Sequence, residues 1–183
     1  GKEVPCSVNG RLDLAKVLEI AIHDGYDPVH RLAVAPPGGC GGKWDTFEAF
    51  YTYYKQLITF FANGAMKIIN AYERQYPALI PAPLFSGTMA ECVERGKDAY
   101  AGGALYNNSS INAFGIATVV DSLVALRKVV YEEKRMDIGR LREILDSDWA
   151  GQEMLRLHIR NNYPKYGNGQ PEADGFMTDL VDH

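Results

Sequence analysis

Cysteine is scarce, at three in 183 residues. Cys6, Cys40 and Cys92 stand at long, unrelated spacings, which excludes a disulfide framework and suits free thiols in a reducing compartment. The expected location is therefore cytoplasmic. Long apolar runs are also lacking: the stretch from Ile111 to Val120 is broken by Asn112 and Gly115, far short of the roughly 20 residues that a membrane-spanning helix needs. No Lys/Arg stripe interleaves with aromatics and the net charge is −4, so the electrostatic footprint of a nucleic-acid binder is missing. Repeats and low-complexity segments are absent too. What remains is a soluble chain with 46% hydrophobic residues, enough to bury one ordinary core.

Periodicity organises this chain mainly into helices. Leu14, Val17, Leu18, Ala21 and Ile22 recur at helical spacing after Asp13, and Gly25 follows the end. Tyr26 to Lys43, with Pro28, Pro36, Pro37 and the glycines around Cys40, reads as a long exposed loop. Asp45, Thr46 and Glu48 then open a helix from Phe47 to about Tyr76, apolar around most of its circumference and expected to be buried on more than one side. Pro77, Pro81 and Pro83 predict an extended passage, and a short helix from Met89 to Arg95 stops at Gly96. Ala104 to Tyr106 is the expected buried strand, with Ile111 to Ile116 a second extended segment. Thr118 to Lys134 is a strong amphipathic helix. Asp137 caps another to about Leu145, Gln152 to Arg160 forms the next, and Pro171 starts the last. The N-terminus lacks a start methionine and the C-terminus stops inside a helical pattern, so both ends read as cut from a longer protein.

Most chemical constellations reduce to structural readings. His23, Asp24, Asp27 and His30 straddle a helix end without an i,i+4 His pair or CxxC spacing, so no metal is assigned to them. Cys40 among glycines has only Lys43 to depress its thiol, Cys92 reads as a small core residue, and Cys6 has no recognisable context. The glycine run does not match GxxxxGK[ST], and no Ser/His/Asp triad assembles. No residue is assigned a catalytic role. Two polar segments stand out. Tyr106, Asn107, Asn108, Ser109 and Ser110 carry amides and hydroxyls that either bind a small polar ligand or satisfy the turn's own backbone. Turn-forming residues account for most of the composition of the second, Pro164 to Gly169.

In order, LDLAKVLEIAIHDG, TFEAFYTYYKQLITFF, PAPLFSGTMAECVERGKD, GGALYNNSSINAFGIATVVDSL, VVYEEK and PKYGN resemble a stretch of the catalytic domain of glycyl radical enzymes. That group contains pyruvate formate-lyase and the glycerol and choline-type lyases, and the resemblance extends over nearly the whole chain. It implies a segment of an α/β, helix-rich fold, part of a ten-stranded barrel. There a backbone glycyl radical takes a hydrogen atom from a loop cysteine, and the thiyl radical attacks a small-molecule substrate. The family's cysteine, in a Gly-Cys-x-Glu or Cys-Cys setting, is expected just before Gly1, so Cys6 is not its counterpart; the Arg-Val-x-Gly-Tyr type of radical loop is expected beyond His183. The whole chain then reads as one segment of that domain. The segment itself binds no cofactor; the radical is installed by an activating enzyme that uses S-adenosylmethionine and an iron–sulfur cluster. A homodimer and the remainder of the same polypeptide are the other implied partners.

On this resemblance Tyr106, Asn107 and Asn108 approach the barrel interior, and with Ser110 they form the expected substrate-binding set. Gly169 stands where the family often has an acid after KYGN, only Asp174 preserving a later one, and the glycine-rich insertion around Cys40 is unusual. Formate-lyase, dehydratase and decarboxylase subgroups all stay open. The competing class is a self-contained helical interaction domain with the helix from Phe47 as its partner surface; the reading frame flanking the segment discriminates the two.

Overall fold

The computed structural model describes residues 10–39 and 41–183, so Cys6 and Cys40 lie outside the described residues. In chain order the elements are β1 (Gly10–Asp13), α1 (Leu14–Ile22), β2 (Tyr26–Asp27), β3 (Leu32–Ala33), α2 (Phe47–Glu73), α3 (Tyr76–Leu79), α4 (Pro83–Ser86) and α5 (Ala90–Arg95). A 3-10 turn (Ala99–Ala101), β4 (Ile111–Phe114), α6 (Ile116–Leu126), a π-helical segment (Arg127–Glu132), α7 (Ile138–Asp146), α8 (Glu153–Asn162) and α9 (Pro171–Asp182) follow. Among the described residues the strands form two small sheets, β1 with β4 and β2 with β3, so the chain is helix-rich. No helix among them is long and apolar enough to cross a membrane.

The chain divides into two compact units. The larger, a helical unit, comprises Asp13–Phe60 and Phe114–His183. Asp13 caps α1 by accepting from the Ala15 and Lys16 amides at 3.0 and 3.2 Å, and six of the nine α1 residues are buried. The helix ends where the Gly25 amide reaches back to Ile20 O at 2.9 Å with φ +88°. A Cβ there would stand 2.6 Å from Ala35 O, so only glycine fits. α6 packs against α1 and α9, and Val119, Val120, Leu123 and Val124 are completely buried. Phe50 and Tyr54 of α2 are equally buried, and the Tyr54 hydroxyl donates to Leu14 O at 3.1 Å.

Expectations for two segments of this unit are corrected. The first part of α2 buries Phe47, Phe50, Tyr53, Tyr54 and Leu57 while Glu48, Thr52 and Gln56 are exposed, so burial follows one helical stripe rather than several sides. The loop after α1 is not irregular throughout: Tyr26 pairs with Ala33 and Asp27 with Leu32 in an antiparallel register. Asp27 stabilises this turn by accepting from the Val29 and His30 amides at 2.9 and 3.3 Å. The helix expected from Thr118 to Lys134 begins at Ile116 and changes character at Arg127, where the Glu133 amide reaches five residues back to Lys128 O.

The smaller unit is built from Phe61–Ala113 with the strand residues up to Leu12. Its buried cluster is small, comprising Met89, Cys92, Ala99 and Ala104. Leu79, Leu84 and Val93 stay exposed at 73%, 90% and 62%, an apolar surface too extensive for so small a core to absorb. The prolines act differently from the expectation of an extended passage. Pro77 and Pro83 sit in the first turns of α3 and α4, where the missing amide proton costs no helical bond. The expected strand Ala104 to Tyr106 does not form. Gly102 turns the chain with φ +83°, and Ala104 O is taken by side chains rather than by a strand partner. The second extended segment does form, as β4.

Candidate functional site

The polar run after Gly103 is the outward-facing part of the smaller unit, and it is held from both ends. Asp98 organises the approach. Its carboxylate accepts from the Ala82 amide at 2.8 Å, the Ser86 hydroxyl at 2.9 Å and the Tyr100 amide at 2.9 Å, and Ser86 Oγ accepts from the Ala99 amide at 2.9 Å. Gly103 then passes so close to the preceding turn that a Cβ would lie 2.1 Å from Lys97 O. Arg95 Nη1 bonds the carbonyls of Gly103 and Ala104, each at 3.3 Å. At the far end the Gly10 amide donates to Ser110 O at 3.1 Å, leading into β4.

Between these anchors Tyr106, Asn107 and Asn108 are exposed, and Ser110 is half-buried. Asn107 Nδ2 donates to Ala104 O at 3.1 Å, which braces the turn. Ser109 donates to the Glu73 carboxylate, whose two oxygens lie 2.7 and 2.6 Å away. That tie spans 36 residues, and no local pattern signals it; the Arg95 clamp is equally invisible to a reading of the loop alone. The loop exposes the phenol of Tyr106 and the side-chain amides of Asn107 and Asn108.

The helical unit holds a cavity of about 940 Å³ lined from α1, α6, α7, α8 and the loops that follow the last two. Its wall is apolar at Leu18, Ile22, Leu126 and Leu141 and polar at His23, Asp146, Arg156 and Arg160. The His/Asp cluster weighed from the sequence disperses. His23 is turned to Asp146, Asp24 accepts from the Gly38 amide at 2.7 Å, and Asp27 is held by Lys16 at 2.9 Å and His30 at 2.7 Å. The Lys16 ammonium, with further bonds from His30 and the turn amides, keeps the Asp27 carboxyl well below the usual carboxylate range. Among the described residues no group of three or more His, Cys, Asp or Glu is placed to hold a metal. Cys92 is buried beside Met89, its thiol 3.9 Å from the thioether sulfur. The Pro164 to Gly169 turn docks on α6, the Tyr166 amide donating to Asp121 at 2.8 Å.

A family model described as pyruvate formate lyase-like matches residues 1–183. The trans-4-hydroxy-L-proline dehydratase of Clostridioides difficile is 30% identical over 173 residues, covering 94% of this chain and 22% of the relative. The crystal structure of that organism's hydroxyproline dehydratase with trans-4-hydroxy-L-proline bound superposes with a TM-score of 0.89 at 29% identity, over 98% of this chain and 23% of the other. The glycerol-bound B12-independent glycerol dehydratase of Clostridium butyricum gives 0.84 at 25% identity, over 98% and 22%. A glycyl radical enzyme of Archaeoglobus fulgidus gives 0.77 at 26%, over 94% and 22%. The chain thus spans little more than a fifth of the proteins it matches.

Proposed function

Because this chain belongs to the pyruvate formate lyase-like family of glycyl radical enzymes, we propose that it supplies part of the wall of a ten-stranded catalytic barrel in a thiyl-radical lyase or dehydratase. The supporting observation is the match of nearly the whole chain to a dehydratase structure at a TM-score of 0.89. The substrate is a small polar metabolite, and the reaction cleaves a C–X or C–C bond. Dehydratases among the similar proteins favour the former. Formate acetyltransferase chemistry is the alternative within the same family. The glycyl radical and the cysteine that relays it belong to the remainder of the polypeptide. An activating enzyme supplies the radical, and the full-length protein works as a cytoplasmic homodimer.

In this role the exposed trio of the smaller unit faces the reaction chamber. Tyr106 Oη and the Asn107 and Asn108 amides orient hydroxyl or carboxylate groups of the substrate, with the Ser110 hydroxyl at the edge. Their rigid mounting by Arg95, Asp98 and Glu73 suits that task, since a misplaced hydrogen-bonding group loses much of its effect. The exposed Leu79, Leu84 and Val93 are covered by the rest of the chain, so the isolated segment is inactive and self-associates.

Anaerobic activation of the full-length protein tests this reading. A glycyl radical doublet in the EPR spectrum is expected, and its absence with a demonstrably competent activating enzyme overturns it. Tyr106→Phe and Asn107→Ala are expected to raise KM or lower kcat about tenfold or more while the doublet persists. Unchanged kinetics in both remove the loop from the site.

A further inference from the structure

The 940 Å³ cavity of the helical unit carries a charge imbalance opposite in sign to the chain, whose net charge is −4. Of the five carboxylates that line it, four are committed: Asp13 caps α1, Glu19 is paired with Lys16, Asp121 accepts from the Tyr166 amide, and Asp146 lies 2.8 Å from His23 Nε2. Only Asp148 is left. Among the cations, Lys16 is taken by Glu19 and Asp27, whereas the side chains of Arg156, Arg160 and Lys165 make no hydrogen bond or ion pair among the described residues. Three uncommitted positive charges thus stand against one negative.

The placement of these cations follows from the local sequence. Arg156 and Arg160 are four residues apart on α8, so they share one helix face, where like charges oppose each other. No acid on that helix relieves them, since Glu153 is turned to the Gly151 amide at 3.2 Å. Lys165 is brought to the same cavity by its neighbour Tyr166, whose amide is tied to Asp121 of α6. Arg156 and Arg160 are exposed and Lys165 is half-buried, whereas Leu18, Ile22, Leu126 and Leu141 of the wall are buried. A cationic rim over an apolar wall suits a ligand with a charged head and a hydrocarbon body. We propose that this cavity binds a phosphate monoester carried on a short hydrocarbon chain. The uncommitted charge of about two matches the −1.5 to −2 of such a head, and guanidinium forks suit its oxygens. The volume lies within the roughly 300–1,000 Å³ of small-molecule pockets. Because the site involves none of Tyr106, Asn107, Asn108 or Ser110, it stands whether or not that loop touches substrate.

Isothermal titration calorimetry of the full-length protein before radical activation tests this, with hexyl phosphate as the probe. It is expected to bind at least about tenfold more tightly than hexanol, which lacks the head, and than inorganic phosphate, which lacks the body. Hexanoate, with a single charge, is expected to bind more weakly than hexyl phosphate. The double variant Arg156→Gln/Arg160→Gln should weaken hexyl phosphate about tenfold or more, and Lys165→Gln alone about threefold or more. Arg140→Gln, which removes an exposed cation paired with Glu143 on α7, should leave the affinity unchanged and so excludes general attraction of anions. Absence of hexyl phosphate binding overturns the proposal, as does an equal affinity for hexanol, inorganic phosphate or hexanoate. So does an unaltered affinity in either the double variant or Lys165→Gln when its circular dichroism matches that of the natural protein.

Discussion

Replacing Asp98 by alanine removes the acceptor on which the turn before the polar loop is built. Two backbone amides, Ala82 and Tyr100, lose their partner, as does the Ser86 hydroxyl, although that hydroxyl also reaches Ala82 O at 2.7 Å and keeps one acceptor. At about 1 kcal/mol for each half-buried bond, local opening becomes easier by about 2–3 kcal/mol. At about 1.4 kcal/mol per tenfold, this is roughly 30- to 140-fold faster exchange. Asparagine separates charge from shape. It retains one oxygen, keeps the Ala82 and Ser86 contacts, and turns an NH2 toward the Tyr100 amide, so roughly fivefold is expected. Hydrogen exchange by mass spectrometry over residues 82–104 of the full-length protein measures both. Burial pulls the Asp98 carboxyl upward, but the bonds from Tyr100, Ser86 and Ala82 outweigh it and leave it below the ordinary carboxylate value. The carboxylate's contribution is therefore complete above about pH 4 and fades as pH falls through the lower folded-state value, a fading that Asp98→Asn does not show. Alanine within threefold of the natural protein, or asparagine as damaging as alanine, refutes the reasoning.

Three further substitutions probe other joints. Gly103→Ala drives a Cβ to within 2.1 Å of the Lys97 carbonyl and should cost about 2–3 kcal/mol or prevent accumulation of folded protein. By contrast, Gly64→Ala, mid-helix with nothing within 4 Å, should be neutral or stabilising by up to about 1 kcal/mol; thermal unfolding of the two side by side checks the contrast. Asp13→Ala removes the α1 cap and should cost about 1 kcal/mol in denaturant titration, with the loss of exchange protection concentrated in residues 14–18.

Local chemistry made much of the fold legible. Asp13, Asp137, Gly96 and Pro171 announced helix ends through interactions confined to a few residues, and the structure uses each in that way. The failures have a common physical origin. Ala104 to Tyr106 looked like a strand because its side chains are apolar, yet the carbonyl that would have built a ladder is claimed by Arg95 and Asn107. The long helix α2 looked buried on several sides because composition alone does not say which stripe meets a neighbour. Tyr106, Asn107 and Asn108 were conspicuous by residue type. The parts that hold the loop, Glu73, Arg95 and Asp98, were hidden in sequence separation and ordinary chemistry.

The π-helical segment from Arg127 to Glu132 carries a consequence for how this region tolerates length changes. Each residue of an α-helix advances the chain by about 100°, and a π turn accommodates one residue more than an α turn does. The wider turn thus absorbs an extra residue without displacing Val119, Leu123 or Val129 from the core, and leaves Tyr131 with its ring 5.9 Å from that of Phe47. Lys134 completes the exit in a left-handed conformation, φ +48°, a region that favours glycine. The segment is a phase adjuster. Deleting a single residue within it would restore regular α pitch and leave the flanking turns in phase, whereas deleting one from the regular part of α6 would rotate everything downstream by about 100°, so this segment is where the helix tolerates the loss of one amino acid best.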